Sequence, residues 1–268
     1  MRTLSYLPLP AQRSRLAVFA VLPWAAACLF VASSAHAQVT LKPDGEWRSL
    51  FTLAANATSG NSRSSNLNLG IEAAKVTTLD KWVLRGQVAS ARNSGTVTTE
   101  RYLGSAQYNR DFNPDWFGFG SGDFLRDELA NIDLRGTVAS GVGRHIYRSD
   151  RHTFDLSAGL AYTHDNYQTP ALVDGGLRDK YGRMELLLAE ESNHKLTDTT
   201  SLRQKFALYP NLRDSGQRRA VFDSQVSVAM TKSLNLTAGL SVRYNSDPGL
   251  NLKKTDTALV TGVSWRFD

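Results

Sequence analysis

The sequence predicts an all-β fold: an antiparallel up-and-down transmembrane β-barrel of about 12 strands, preceded by a cleaved signal peptide. Three observations predict it. Apolar residues recur at every second position over stretches of about eleven residues, the length of a tilted strand that crosses a hydrocarbon layer. Beyond Gln38 no apolar run reaches six residues, so the mature chain offers no membrane-spanning helix. The connections between stretches alternate between tight polar turns and generally longer loops, the two-ended asymmetry of membrane barrels.

The first 37 residues read as an address. Arg2, Arg13 and Arg15 precede an apolar stretch from Leu16 to Val31, and Ala35-His36-Ala37 supplies the small residues of a cleavage site before Gln38. That stretch contains Pro23 and is shorter than a spanning helix requires, which disfavours an uncleaved anchor. The division is therefore 1–37, signal peptide, and 38–268, barrel domain. Cys28, the one cysteine, belongs to the signal, so the mature chain carries no thiol, as suits an oxidising compartment. Removing the signal's three arginines lowers the formal net charge from +6 to +3, too little to argue for nucleic acid. A hydrophobic content of 41% excludes a disordered chain.

Strands are expected near 47–57, 66–74, 82–91, 99–109, 116–125, 132–146, 153–163, 181–190, 202–209, 221–230, 234–244 and 256–267. From Thr153 to Thr163, Phe154, Leu156, Ala158, Leu160 and Tyr162 share one face, and the small and polar residues share the other. Leu234 to Tyr244 repeats this. Tight turns fall at 77–81, 111–115, 148–151, 194–198 and 231–233, and the generally longer connections at 58–65, 93–96, 127–131, 164–180, 210–219 and 246–254. Both termini then lie at the tight-turn end.

A soluble antiparallel sandwich also alternates. Two features favour the barrel. Trp82, Tyr108, Phe112, Trp116, Tyr147, Phe154, Trp265 and Phe267 collect beside the tight turns, as an interfacial girdle would. The opposite face carries mid-strand charge at Glu72, Arg85, Arg101, Asp155, Arg183, Glu185, Arg203, Lys205, Asp223 and Arg243. A barrel sends that face into a wet lumen, where these ten residues are the candidate lining, and closure removes the unpaired edges that lipid cannot satisfy. At the C-terminus Gly262, Trp265 and Phe267 form a glycine followed by alternating aromatics, the kind of terminal signal that the outer-membrane assembly machinery reads; Asp268 follows the final aromatic.

Several short segments resemble a known family. Thr58-Ser-Gly-Asn-Ser after the first strand, Glu100-Arg101-Tyr102 in the fourth, and Gln107-Tyr-Asn-Arg-Asp111-Phe ahead of Asp115-Trp116-Phe117 are similar to the salt-induced outer-membrane protein family, domain of unknown function 481. The resemblance covers about 47–267 and implies a Gram-negative outer-membrane barrel. It implies no activity, so no catalytic residue is carried over.

No catalytic, cofactor or metal site is expected. Four histidines survive processing, and of these only His164, beside Asp165 and Asn166, is placed at the loop end, where a lipid hydrolase would act; no nucleophile accompanies it by spacing. Asp123, Asp127, Glu128 and Asp133 gather around one loop, readable as a solvated acidic loop or as a bridge through a divalent cation to lipopolysaccharide phosphates. The other external loops are basic: Arg178 and Lys180, then Arg213, Arg218 and Arg219, then Lys253 and Lys254. Such clusters serve either solubility or contact with acidic lipid headgroups.

The expected function is a structural or small-solute pore barrel with a mixed-charge lumen, exported through the Sec signal to the outer membrane. Its expected partners are outer-membrane lipids, lipopolysaccharide and the assembly machinery, not nucleic acid, and a monomer is the simplest state. With about 12 strands, strand count leaves open whether the lumen conducts or is closed by its own side chains. The alternatives are an envelope-stress protein that binds lipopolysaccharide or a partner through the basic loops, and an outer-membrane lipid hydrolase. Mass spectrometry of the protein from the membrane fraction is expected to find Gln38 at the N-terminus; a retained Met1 would refute the signal reading.

Overall fold

The computed structural model describes residues 42–58, 64–214, 216–249 and 252–267. The signal peptide and the Ser-Gly-Asn-Ser segment at 59–62 lie outside the described residues. Twelve strands follow in order: β1 (Trp47–Thr58), β2 (Ser64–Val76), β3 (Asp80–Asn93), β4 (Thr96–Asp111), β5 (Trp116–Asp127), β6 (Ile132–Arg148), β7 (His152–Val173), β8 (Gly176–Lys195), β9 (Thr200–Pro210), β10 (Arg218–Ala229), β11 (Leu234–Asn245) and β12 (Thr255–Phe267). Each pairs antiparallel with its neighbours, and β12 returns to β1, Phe267 opposite Ser49 and Val263 opposite Leu53, to close the barrel. All twelve expected strands are present.

Alternation decides which face is wet. On β7, Leu156 and Leu160 are 43% and 51% exposed on the outside, whereas Ala161 and Thr163 are 1% and 0% exposed inside. Outward rows such as Leu67 and Ile71, Val138 and Val142, or Leu236 and Leu240 continue around the wall. A soluble monomer rarely shows an apolar patch above a few hundred Å². An apolar exterior around a polar interior fits a bilayer as solvent.

The barrel is oval. Glycines that a side chain could not replace sit at two opposite seams. A Cβ on Gly141 of β6 would lie 2.2 Å from the Ala158 carbonyl oxygen, and one on Gly159 of β7 would lie 2.3 Å from the Ser140 carbonyl oxygen. Half-way round the ring, a Cβ on Gly262 of β12 would meet the Leu53 carbonyl oxygen of β1 at 2.7 Å. Glycine permits the sharp bend of a barrel corner. Between these corners, β2 to β5 form one side and β8 to β11 the other.

The five tight turns share one closing device. The side chains of Thr77, Asn113, Ser149, Thr197 and Thr231 each accept a hydrogen bond from the backbone N–H three residues on, at 2.9, 2.9, 3.0, 2.9 and 3.0 Å. A short polar side chain that captures a nearby backbone N–H stabilises a turn, which is why these residue types recur there. Before β1, the Arg48 guanidinium beside Asp44 holds its carboxyl well below the usual carboxylate range.

At the other end one expected loop is corrected. The segment 164–180 is almost entirely strand: β7 runs 22 residues and β8 runs 20, joined by Asp174-Gly175, both with positive φ (54° and 71°). Ser94-Gly95 makes the same kind of turn between β3 and β4, with φ of 50° and 85°. Two consecutive left-handed residues match the twist of a tight hairpin. The alternation was obscured by Gln168-Thr-Pro170, which falls in a register shift between Asn166 and Ala171. Of the alternating glycines, Gly120 and Gly122 face open space, whereas a Cβ on Gly118 would meet the Phe112 ring at 2.6 Å and one on Gly143 the Phe117 ring at 2.1 Å. Gly141→Ala is expected to destabilise the barrel by about 1–3 kcal/mol, read as a lower urea midpoint for loss of the heat-modifiable folded band.

Candidate functional site: the charged interior

Because odd-numbered residues of β3 to β11 and even-numbered residues of β1, β2 and β12 point inward, charges far apart in sequence converge. Towards the tight-turn end, Arg85 Nε donates to Glu72 at 2.6 Å. Arg203 donates to Glu72 at 3.2 Å and to Glu191 at 3.1 Å, and Lys81 Nζ lies 3.7 Å from Glu191. Arg203 is on β9 and Glu72 on β2, on opposite sides of the ring. A round barrel of twelve strands would be about 24 Å across from strand spacing and tilt, too wide for an arginine and a glutamate to meet. The oval section brings them together, and these pairs cross the lumen. Below them Leu50, Ala74 and Val83 pack as an internal apolar cluster.

Towards the loop end a second network binds β6, β7, β8 and β10. Arg135 grips Asp165 with two hydrogen bonds of 2.5 and 2.9 Å, and Arg183 bridges Asp165 at 2.9 Å and Glu185 at 3.1 Å. Arg219 donates twice to Glu185, at 2.9 and 2.6 Å, and lies 4.8 Å over the Tyr209 ring. The Thr163 hydroxyl donates to Glu185 at 2.6 Å. Asp165 and Glu185 are at most 1% exposed, so these charges persist only because each carboxylate has several donors.

All ten candidate lining residues sit on the inner face. Glu72, Arg85, Arg183, Glu185 and Arg203 belong to the two networks. Arg101 donates to Asp127 at 2.6 Å; Asp223 accepts from Ser241 at 2.6 Å, with Arg243 3.9 Å away. Asp155 shares a 2.7 Å hydrogen bond with His145, on which Phe117 stacks. Lys205 makes no ion pair or hydrogen bond among the described residues. Arg85, Arg101, Arg203, Lys205 and Arg243 line a cavity of about 550 Å³ that reaches up to Lys253 and Lys254 in the loops. Nine basic and five acidic residues line it.

Of the basic loop candidates, Arg178, Lys180, Arg213, Arg218, Lys253 and Lys254 are exposed at the loop end. Arg219 is a correction. It starts the inward row Arg219, Val221, Asp223 of β10 and is an interior charge, because the strand begins at Arg218, three residues before its expected start. The acidic loop disperses as well: Asp127 turns inward to Arg101, while Glu128 and Asp133 flank Arg126 at 3.0 and 3.9 Å. His164 and Asp165 lie on opposite faces of β7, so Asp165 cannot orient that imidazole. Gly262 abuts β1 at the closing seam, and Trp265 and Phe267 point outward there.

Arg135, Glu191 and Lys81 were not singled out from sequence, and Asp165 was placed in a loop beside His164 rather than on the inner wall. For three of them the signal existed: Asp165 continues the inward row of Asp155, Glu191 that of Glu185, and Lys81 lies four before Arg85.

The family model described as "Protein of unknown function, DUF481" matches residues 51–267. The chain is 22% identical over 192 residues to the uncharacterized protein YdiY of Escherichia coli (strain K12), covering 72% of this chain and 71% of that protein. Among solved structures it is similar to the NanC porin, with 9% identity, 81% and 97% of the two chains covered and a TM-score of 0.45. The translocator domain of the autotransporter NalP from Neisseria meningitidis gives 16%, 84%, 90% and 0.46 by the same measures.

Glu185→Ala strips Arg219 of its carboxylate and leaves Arg183 with one. The expected loss is about 3–5 kcal/mol of folding free energy in a urea titration from lipid vesicles, against little change for the exposed Lys180→Ala.

Proposed function

The chain belongs to the DUF481 family, and we propose that it is an outer-membrane β-barrel of the small-solute pore type whose lumen is held shut by ion pairs across its short axis. The cross-lumen contact of Arg203 with Glu72 carries this reading. A barrel that served only as a wall would have no use for a cavity open to one end; here that cavity stands over a charged constriction. Arg203 is bound by two carboxylates on opposite sides, Glu72 on β2 and Glu191 on β8, so it acts as a single latch. The aromatic residues around the tight turns, among them Trp82, Trp116, Tyr147 and Phe267, are exposed on the outer surface and would settle in the headgroup layer. No step of this function needs a nucleophile, a cofactor or a metal.

A second reading has its own support. The exposed cations Lys180, Arg213, Arg218, Lys253 and Lys254 at the loop end would face lipopolysaccharide phosphates, which would make the rim a lipid-binding collar.

Planar-bilayer recording tests the pore. The wild-type barrel is expected to give small or rare steps, and Arg203→Ala to raise single-channel conductance several-fold, since Glu72 keeps Arg85 and Glu191 keeps Lys81. Steady wild-type conductance that Arg203→Ala leaves unchanged would refute the latch.

A further inference from the structure

The cavity above the constriction holds an unmet charge. Around it most ionic groups are neutralised by protein: Arg101 by Asp127, Arg135 by Asp165, Arg219 by Glu185, Arg203 by Glu72 and Glu191. Lys205 is not, and two arginines near it are only partly engaged. Lys205 has no hydrogen-bond or ion-pair partner among the described residues. Arg243 comes no closer than 3.9 Å to a carboxylate, beyond hydrogen-bond distance, and Arg85 spends only its Nε on Glu72. The same cavity is lined by Asp123, a carboxylate in electrostatic reach of Lys205, Arg85, Arg219 and Arg243 with no hydrogen bond to any of them, while Asp223, cross-strand from Lys205, accepts from Ser241.

A lysine on the lumen wall without a hydrogen-bonding partner, beside guanidinium groups with N–H donors to spare, is relieved by an anion that enters. The space is large enough: about 550 Å³ lies within the usual range for a small-molecule site. We infer that this cavity binds a small solute bearing an oxyanion, a carboxylate or a phosphate, through Lys205 with Arg85 and Arg243. The site deepens the pore reading by naming the class of solute that the vestibule collects. Asp123 is its internal competitor: it partly neutralises the empty site and is displaced from the cations' field when the anion arrives.

Calorimetric titration of the mature barrel in detergent tests this, with inorganic phosphate and succinate as separate probes. Saturable binding of one or both is expected, and the tighter probe identifies the oxyanion. Lys205→Gln should weaken binding about tenfold or more, the value of a charge-assisted hydrogen bond. Asp123→Asn should tighten it, which a merely structural role for these residues would not produce. Arg243→Gln repeats the test if Lys205→Gln fails to show the heat-modifiable folded band. No saturable binding of either probe, or binding that neither cation variant weakens, would overturn the site. Calorimetry needs no open lumen. Binding without conductance in any variant would sink the pore reading and leave the site standing, whereas conductance without binding would sink the site alone.

Discussion

Charge on the inner wall of a narrow barrel has no solvent reservoir to retreat into, and the structure is organised by how that charge is neutralised. Arg203 shows the constraint most directly. Its guanidinium reaches Glu191 on the adjacent strand and Glu72 on the far side, so two walls are tied through one side chain. Glu191 alone would pair with it locally. Both together demand that the walls approach, and an oval section follows.

The oval section in turn depends on residues with nothing to offer chemically. At the β6–β7 corner the inward row on β6 is Thr137, Ala139, Gly141 and Gly143, and on β7 it is Ser157, Gly159, Ala161 and Thr163. Larger side chains would collide at that curvature, as the 2.2 Å approach to the Ala158 carbonyl oxygen makes plain. The small residues of the corners and the long charged residues of the flat sides are one design. Corners permit the approach, and ion pairs across the lumen hold it.

The two ends of the barrel divide the labour. At the tight-turn end side chains fill the interior, with Leu50 and Val83 beneath the cross-lumen pairs. At the loop end the overlong β7–β8 hairpin folds against its neighbours, through Tyr181 to Gln217 and the Asp174 backbone N–H to Asp247, and the interior stays open as a vestibule. Water, and any solute, can reach the charged floor from that side.

Period-two alternation, turn residues and the absence of long apolar runs determined the twelve strands, their order and which face of each is wet, because each of these is a local property of the backbone. The lining charges were legible for the same reason: Glu72, Arg85 and Lys205 each sit mid-strand on the polar face. Alternation failed where strands extend beyond the membrane, so Asp165 was assigned to a loop and Arg219 to an external rim. Pairing was beyond reach. Arg203 and Glu72 are separated by 131 positions, and nothing in their spacing says that they meet. Only closure into a ring, bent at Gly141, Gly159 and Gly262, sets which inward charges face one another, which are left without a partner, and therefore where a cavity remains.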